Sequence, residues 1–90
     1  LDASTRLKRS DNVTFQNIAG EAILIRLSTG TYFSLNPVGT EFWEMLDGQQ
    51  TIEQHAATIA AMYSVDALMV VSDLLELAEK MAVDDLVEAM

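Results

Sequence analysis

Thr31-Tyr32-Phe33-Ser34-Leu35-Asn36-Pro37-Val38-Gly39-Thr40-Glu41-Phe42-Trp43 holds the change of period on which the fold turns. From Thr31 to Leu35 side chains alternate, with Phe33 and Leu35 on one side and Tyr32 and Ser34 on the other, as in a strand. Phe33 and Leu35 are the more apolar pair and are expected to face the core. Asn36 is a favoured helix cap. Pro37 at the first helical position gives up only an N–H that every helix start leaves unpaired. Beyond it Val38, Phe42, Met45 and Leu46 recur at helical spacing to about Asp47, and Gly48 ends the run.

Upstream, Val13-Thr14-Phe15-Gln16-Asn17-Ile18 alternates as a strand and Ala19-Gly20 breaks it. Glu21 to Leu27 is rich in β-formers, with Ile23, Ile25 and Leu27 on one face and Ala22, Leu24 and Arg26 on the other. Ser28-Thr29-Gly30 then makes a hairpin, its glycine free to take positive φ. The first twelve residues are polar, mixed in charge and aperiodic. They read as a mobile arm before a domain over residues 13–90.

Downstream, Thr51 caps a helix over Ile52 to Tyr63, with Gln54 placed for a capping box. Its expected inner stripe is Ile52, Ala56, Ile59, Ala60 and Tyr63. Ser64 or Asp66 starts a third helix to about Ala82, and Val83 to Val87 reads as a turn plus a short extended piece. Three strands followed by three helices in 90 residues predict one α+β domain, winged-helix-like, with a small antiparallel sheet on a helical bundle. The third strand lies at a sheet edge, and an open edge is a template for an incoming chain. On the third helix, Val70, Leu74, Leu77 and Met81 form one stripe and Leu68, Val71, Leu75 and Ala82 a second beside it. The pair is wider than a simple surface helix requires. The second stripe is either more core or the wall of a groove.

Composition narrows the chemistry. Fourteen acids against five Lys and Arg leave a net charge of −9. Arg6, Lys8 and Arg9 give the first ten residues a net +2, so Asp11 to Met90 carries −11. Such a body repels phosphate backbones, which disfavours nucleic acid. The absence of Cys excludes thiolate nucleophiles and disulfides, and a lone His55 excludes a two-histidine zinc site. No apolar run reaches the ~20 residues of a membrane span. A cytoplasmic protein with neither cofactor nor metal is expected.

Gly30, Tyr32, Leu35, Asn36, Gly39, Trp43 and the closing Leu46-Asp47-Gly48 resemble the G-x-Y-x-x-L-N-x-x-G-x-x-x-W-x-x-L-D-G signature of the PqqD-like family. Thr51-Ile52-Glu53, Tyr63-Ser64-Val65-Asp66 and Asp73-Leu74 match further family positions in order, so the resemblance spans about Val13 to Val87. Two places depart from the pattern. Asp66-Ala67-Leu68-Met69 lacks the acidic, proline-containing start common at the third helix, and Ala82-Val83 stands near its usual Gly-Leu end.

The resemblance implies the fold derived above and a protein that is not an enzyme. Family members are peptide chaperones, binding the leader of a ribosomally made precursor and handing it to a leader peptidase or another modifying enzyme. The leader adds as a strand to the third strand and lies against the third helix. Carried over, the peptide-binding residues are Thr31, Tyr32, Phe33, Ser34 and Leu35 with Val70, Val71, Asp73, Leu74, Leu75 and Leu77. The stand-alone unit and its G-x-Y-F-x-L-N strand resemble the lasso-peptide branch. The alternative branch serves pyrroloquinoline-quinone synthesis, delivering a precursor to a radical SAM enzyme.

Strand addition draws affinity from main-chain hydrogen bonds and selectivity from pockets for alternate side chains. The residues supply both an edge and an apolar helix. Trp43 reads as core, and His55 as structural or exposed, since no nucleophile or orienting group is placed beside it. Asp84-Asp85 reads as a solvated pair. Asp73 is open between a leader contact and a surface ion pair. Two other readings compete. A winged-helix DNA-binding module suits the element order but not the charge, and a dimerisation module would use the same edge or stripe to form a homodimer.

Overall fold

The computed structural model describes residues Leu1–Met90. Its elements in chain order are β1 (Leu7–Arg9), β2 (Val13–Ile18), β3 (Glu21–Arg26), β4 (Tyr32–Ser34), α1 (Pro37–Met45), α2 (Ile52–Tyr63), α3 (Ala67–Val83) and β5 (Val87–Ala89). Antiparallel β2-β3-β4 followed by three helices is the expected α+β architecture. Ala19 and Gly20, both at positive φ, make the β2–β3 turn. The other hairpin sets Ile23, Leu24 and Ile25 opposite Ser34, Phe33 and Tyr32.

Both faces of β3 are apolar enough to be inner, and the structure buries Ala22 and Leu24 while leaving Ile25 and Leu27 exposed. The neighbouring strands decide it. In register with Leu24 lie Phe15 and Phe33, which share its face, whereas Ile23 and Ile25 align with Gln16, Ser34, Thr14 and Tyr32. Arg26, at the end of the inner face, reaches out of it. Its Nη1 donates to the Asp84 carbonyl at 2.6 Å beyond the end of α3, where a cation meets unpaired carbonyls and the negative end of the helix dipole.

The first residues depart from the mobile-arm reading. Leu7 is buried in the core, and β1 pairs antiparallel with β5 in a separate two-stranded ladder. The segment before it caps α2: the Ile52 and Glu53 amides donate to the Thr5 and Ala3 carbonyls at 3.0 and 2.9 Å. Those are helix-start N–H groups that otherwise need water or a side chain. Thr51 and Gln54 complete the cap with the reciprocal bonds of a capping box.

The core is one cluster centred on Leu24, Phe42, Trp43, Ile52, Ile59, Leu74 and Met81. On α2 the inner stripe runs Ile52, His55, Ala56, Ile59 and Ala60, with Tyr63 exposed. His55 therefore takes the inner place expected of Tyr63, edge-on to Phe42 with ring centroids 5.9 Å apart. Buried Thr40 ties sheet to helix, its Oγ accepting from the Ala22 amide at 2.8 Å and donating to the Leu35 carbonyl at 3.3 Å. No helix is long and apolar enough to cross a membrane.

Candidate peptide-binding groove

Hydrogen bonding along β4 alternates. Thr31 accepts from the Arg26 amide and Leu35 donates to the Ala22 carbonyl, so Phe33 between them also points its backbone groups at β3. Tyr32 and Ser34 then turn their N–H and C=O groups to the open edge. Of the five expected strand residues from Thr31 to Leu35, the ladder leaves the backbones of two for an added strand.

Where β4 runs into α1, a cavity of about 340 Å³ opens between them and α3. Ser34 and Leu35 form one wall, Asn36, Val38 and Gly39 another, and Asp73, Leu74 and Leu77 the third. Its shape comes from the helix start picked out by the sequence. The Asn36 side chain accepts from the Gly39 amide at 2.8 Å, fixing the first turn of α1 beside the strand end. Gly39 lets α3 approach: a Cβ there would lie 3.3 Å from Leu77 Cδ2 and 3.2 Å from Asn36 Oδ1. Asp73 is exposed and takes part in no ion pair or side-chain hydrogen bond. The surface ion pair weighed for it is absent.

The other expected residues fall elsewhere. Tyr32 is 74% exposed, its side chain on the outer face of the sheet, and Thr31 is also exposed. Phe33 packs inward, half-buried against the core, and Val70 is buried. Val71 and Leu75 are half-buried but do not line the cavity. At about 100° per residue, Leu75 stands roughly 160° around the helix axis from Leu77. The groove therefore takes Leu74 and Leu77 from the first stripe, with Asp73 at its margin, while Val71, Leu75 and Ala82 of the second stripe pack on the opposite flank and Leu68 is exposed. Asn36, Val38 and Gly39 were not among the expected site residues. Asn36 and Gly39 stand at fixed positions of the family signature, and that was the available signal.

His55 is buried in the core with neither ring nitrogen hydrogen-bonded, and burial pushes its pKa down. No three His, Asp or Glu side chains converge as a metal site. The arrangement offers an extended chain two pairs of main-chain hydrogen-bonding groups and a side-chain pocket beside them.

No curated protein matches the sequence. Among solved structures, the chain is similar to TbiB1, determined in complex with the TbiA(beta) leader peptide. The TM-score is 0.81 at 38% identity, covering 90% of this chain and 94% of that one. Residues 21–88 match the family model described as coenzyme PQQ synthesis protein D (PqqD). With that match covering most of its length, the chain belongs to the PqqD family.

Proposed function

We propose that this protein binds the leader segment of a ribosomally synthesised precursor peptide and presents it to a processing enzyme, with no chemistry of its own. The observation that carries the reading is the open β4 edge, with Tyr32 and Ser34 facing outward beside a cavity whose far wall is α3. The leader adds as a strand there, antiparallel or parallel to β4, and seats one apolar side chain among Leu35, Val38, Leu74 and Leu77. Asp73 at the margin favours a basic or hydroxyl-bearing neighbour in the leader. The net charge of −9 extends that preference beyond the groove.

Likeness to a leader-bound protein at 38% identity supports the lasso-peptide branch, with a leader peptidase as the enzyme served. The same charge disfavours nucleic acid and pairing with a second copy, since both bring negative charge to a negative surface. Calorimetric titration with the TbiA(beta) leader peptide, and with the leader of a precursor encoded beside this gene, tests the proposal. Saturable one-to-one binding is expected for at least one of them. Absence of saturation with both sinks it.

A further inference from the structure

At the opposite edge of the sheet, a cavity of about 400 Å³ opens between β1, β2 and the C-terminal half of α1. We propose that it is a second binding site, taking an acidic side chain of a polypeptide partner on the Arg9 guanidinium. Four of the five cationic side chains already have partners. Arg6 donates to the Gln49 carbonyl, Lys8 pairs with Glu88, Arg26 donates to Thr29 and the Asp84 carbonyl, and Lys80 pairs with Glu76. Arg9 alone makes no ion pair and no side-chain hydrogen bond, in a chain with fourteen acids.

Its guanidinium lies instead over Phe15 and Trp43, 5.3 and 5.9 Å from the two ring centroids. Trp43 is fully buried, and its indole N–H has no acceptor. Cation–π contact with both rings restrains the guanidinium before any ligand arrives, so binding a carboxylate in bidentate fashion orders little more of the protein. The apolar floor strengthens that charge-assisted bond. Asp11 lines the same cavity. It opposes any anion there, so the ligand that gains is a carboxylate that adds apolar contact, its stem packed on half-buried Phe15 and flanked by an apolar residue.

Trp43 is the only tryptophan, so its fluorescence and its indole N–H resonance report on this cavity. The probes are acetyl-leucyl-glutamyl-leucinamide and its glutaminyl counterpart, added to the intact protein. The glutamyl peptide is expected to bind about tenfold more tightly, the margin of a bidentate ion pair over a hydrogen bond from the guanidinium to a neutral amide. Arg9→Gln should erase that margin, and Arg9→Lys should keep part of it. Equal affinity for the two peptides, no saturable change with either, or an Arg9→Gln protein that keeps the preference overturns the proposal. The two-peptide comparison uses the unaltered protein and does not depend on a variant folding. Because this site is on β2 and the leader groove is on β4, either can fail while the other stands.

Discussion

The sheet has two edges, and the shorter one is the better candidate for strand addition. On β2 the Asn12–Leu27 bond sets an alternation that turns the backbone groups of Val13, Phe15 and Asn17 outward, one residue more than β4 offers. Yet β2 is flanked by Arg9, held over the Phe15 ring, and the Asn17 side chain is engaged with Glu44 at 2.9 Å. Beside β4 stand a cavity walled in part by Leu35, Val38, Leu74 and Leu77 and the Asp73–Leu77 flank of α3. Free main-chain groups are common to both edges. What separates them is whether an alternate side chain of the incoming strand has somewhere to go.

The largest expected effect comes from filling that place with charge. Leu77→Asp sets a carboxylate in the cavity wall and should weaken leader binding by roughly 100-fold, the loss of one well-buried apolar anchor. Leu75→Asp, on the opposite flank, should lower the melting temperature with less than about a threefold change in affinity, as substitutions that touch no ligand do. Calorimetry and thermal melts on both variants read the pair. If Leu75→Asp is the one that abolishes binding while the fold survives, the groove lies on the other side of α3.

Next comes the backbone. Ser34→Pro removes an outward N–H from an edge strand, a position where a sheet tolerates proline. It should weaken the leader by about tenfold, one main-chain hydrogen bond plus the shape of the strand. Asn17→Pro makes the same change on β2 and should leave affinity as it was. Amide spectra of both variants establish that the sheet persists. Equal losses at the two edges would show that affinity tracks sheet integrity, not strand addition at β4.

The contrast between edges was only partly legible in the sequence. The element order was, because Asn36-Pro37 marks a switch from period two to helical spacing, and Thr51 and Gln54 mark another start. β1 and β5 were not. Each is three residues with one inward side chain, too short to show a period, and their pairing spans almost the whole chain. The inner face of β3 was ambiguous because Ile23 and Ile25 are as apolar as Leu24. Only register with Phe15 and Phe33 resolves it. The flank of α3 that meets the groove depends on how closely α1 approaches, and that is set by Gly39 through contacts no local pattern records.

Gly39→Ala probes that approach directly. The added methyl meets Leu77 Cδ2 and the Asn36 cap at 3.3 and 3.2 Å, closer than ordinary packing. Alanine also favours the helix by about 1 kcal/mol over glycine, which offsets part of the crowding. Stability should therefore change by less than about 1 kcal/mol, whereas leader affinity falls about three- to fivefold as Leu77 is pushed into the cavity. The β2 site should not respond, because neither Leu77 nor Asn36 lines it. A variant with unchanged affinity would mean that Leu77 yields away from the cavity.

The smallest effect reaches the groove through the core. His55 packs on Phe42 of α1, the helix whose first turn lines the cavity, and burial lowers its pKa from 6.5. As pH falls below that value the unfolded chain takes up the proton before the folded one. The stability linked to His55 is then complete above about 6.5 and declines toward the folded pKa. Carboxylates titrate mostly below about pH 5, so a melting-temperature slope between about pH 5.5 and 6.5 belongs to the histidine. His55→Leu keeps an apolar volume in contact with Phe42 and removes two unpaired ring nitrogens, so it should flatten that slope. It should also remove any weakening of leader binding over the same interval, while leaving the Arg9 cavity untouched. A slope that survives the substitution would assign the acid sensitivity to surface carboxylates and detach it from α1. Protonation of a group this deep acts on whatever α1 holds in place, and α1 holds the groove at its first turn, so stability and leader affinity should fall over the same interval.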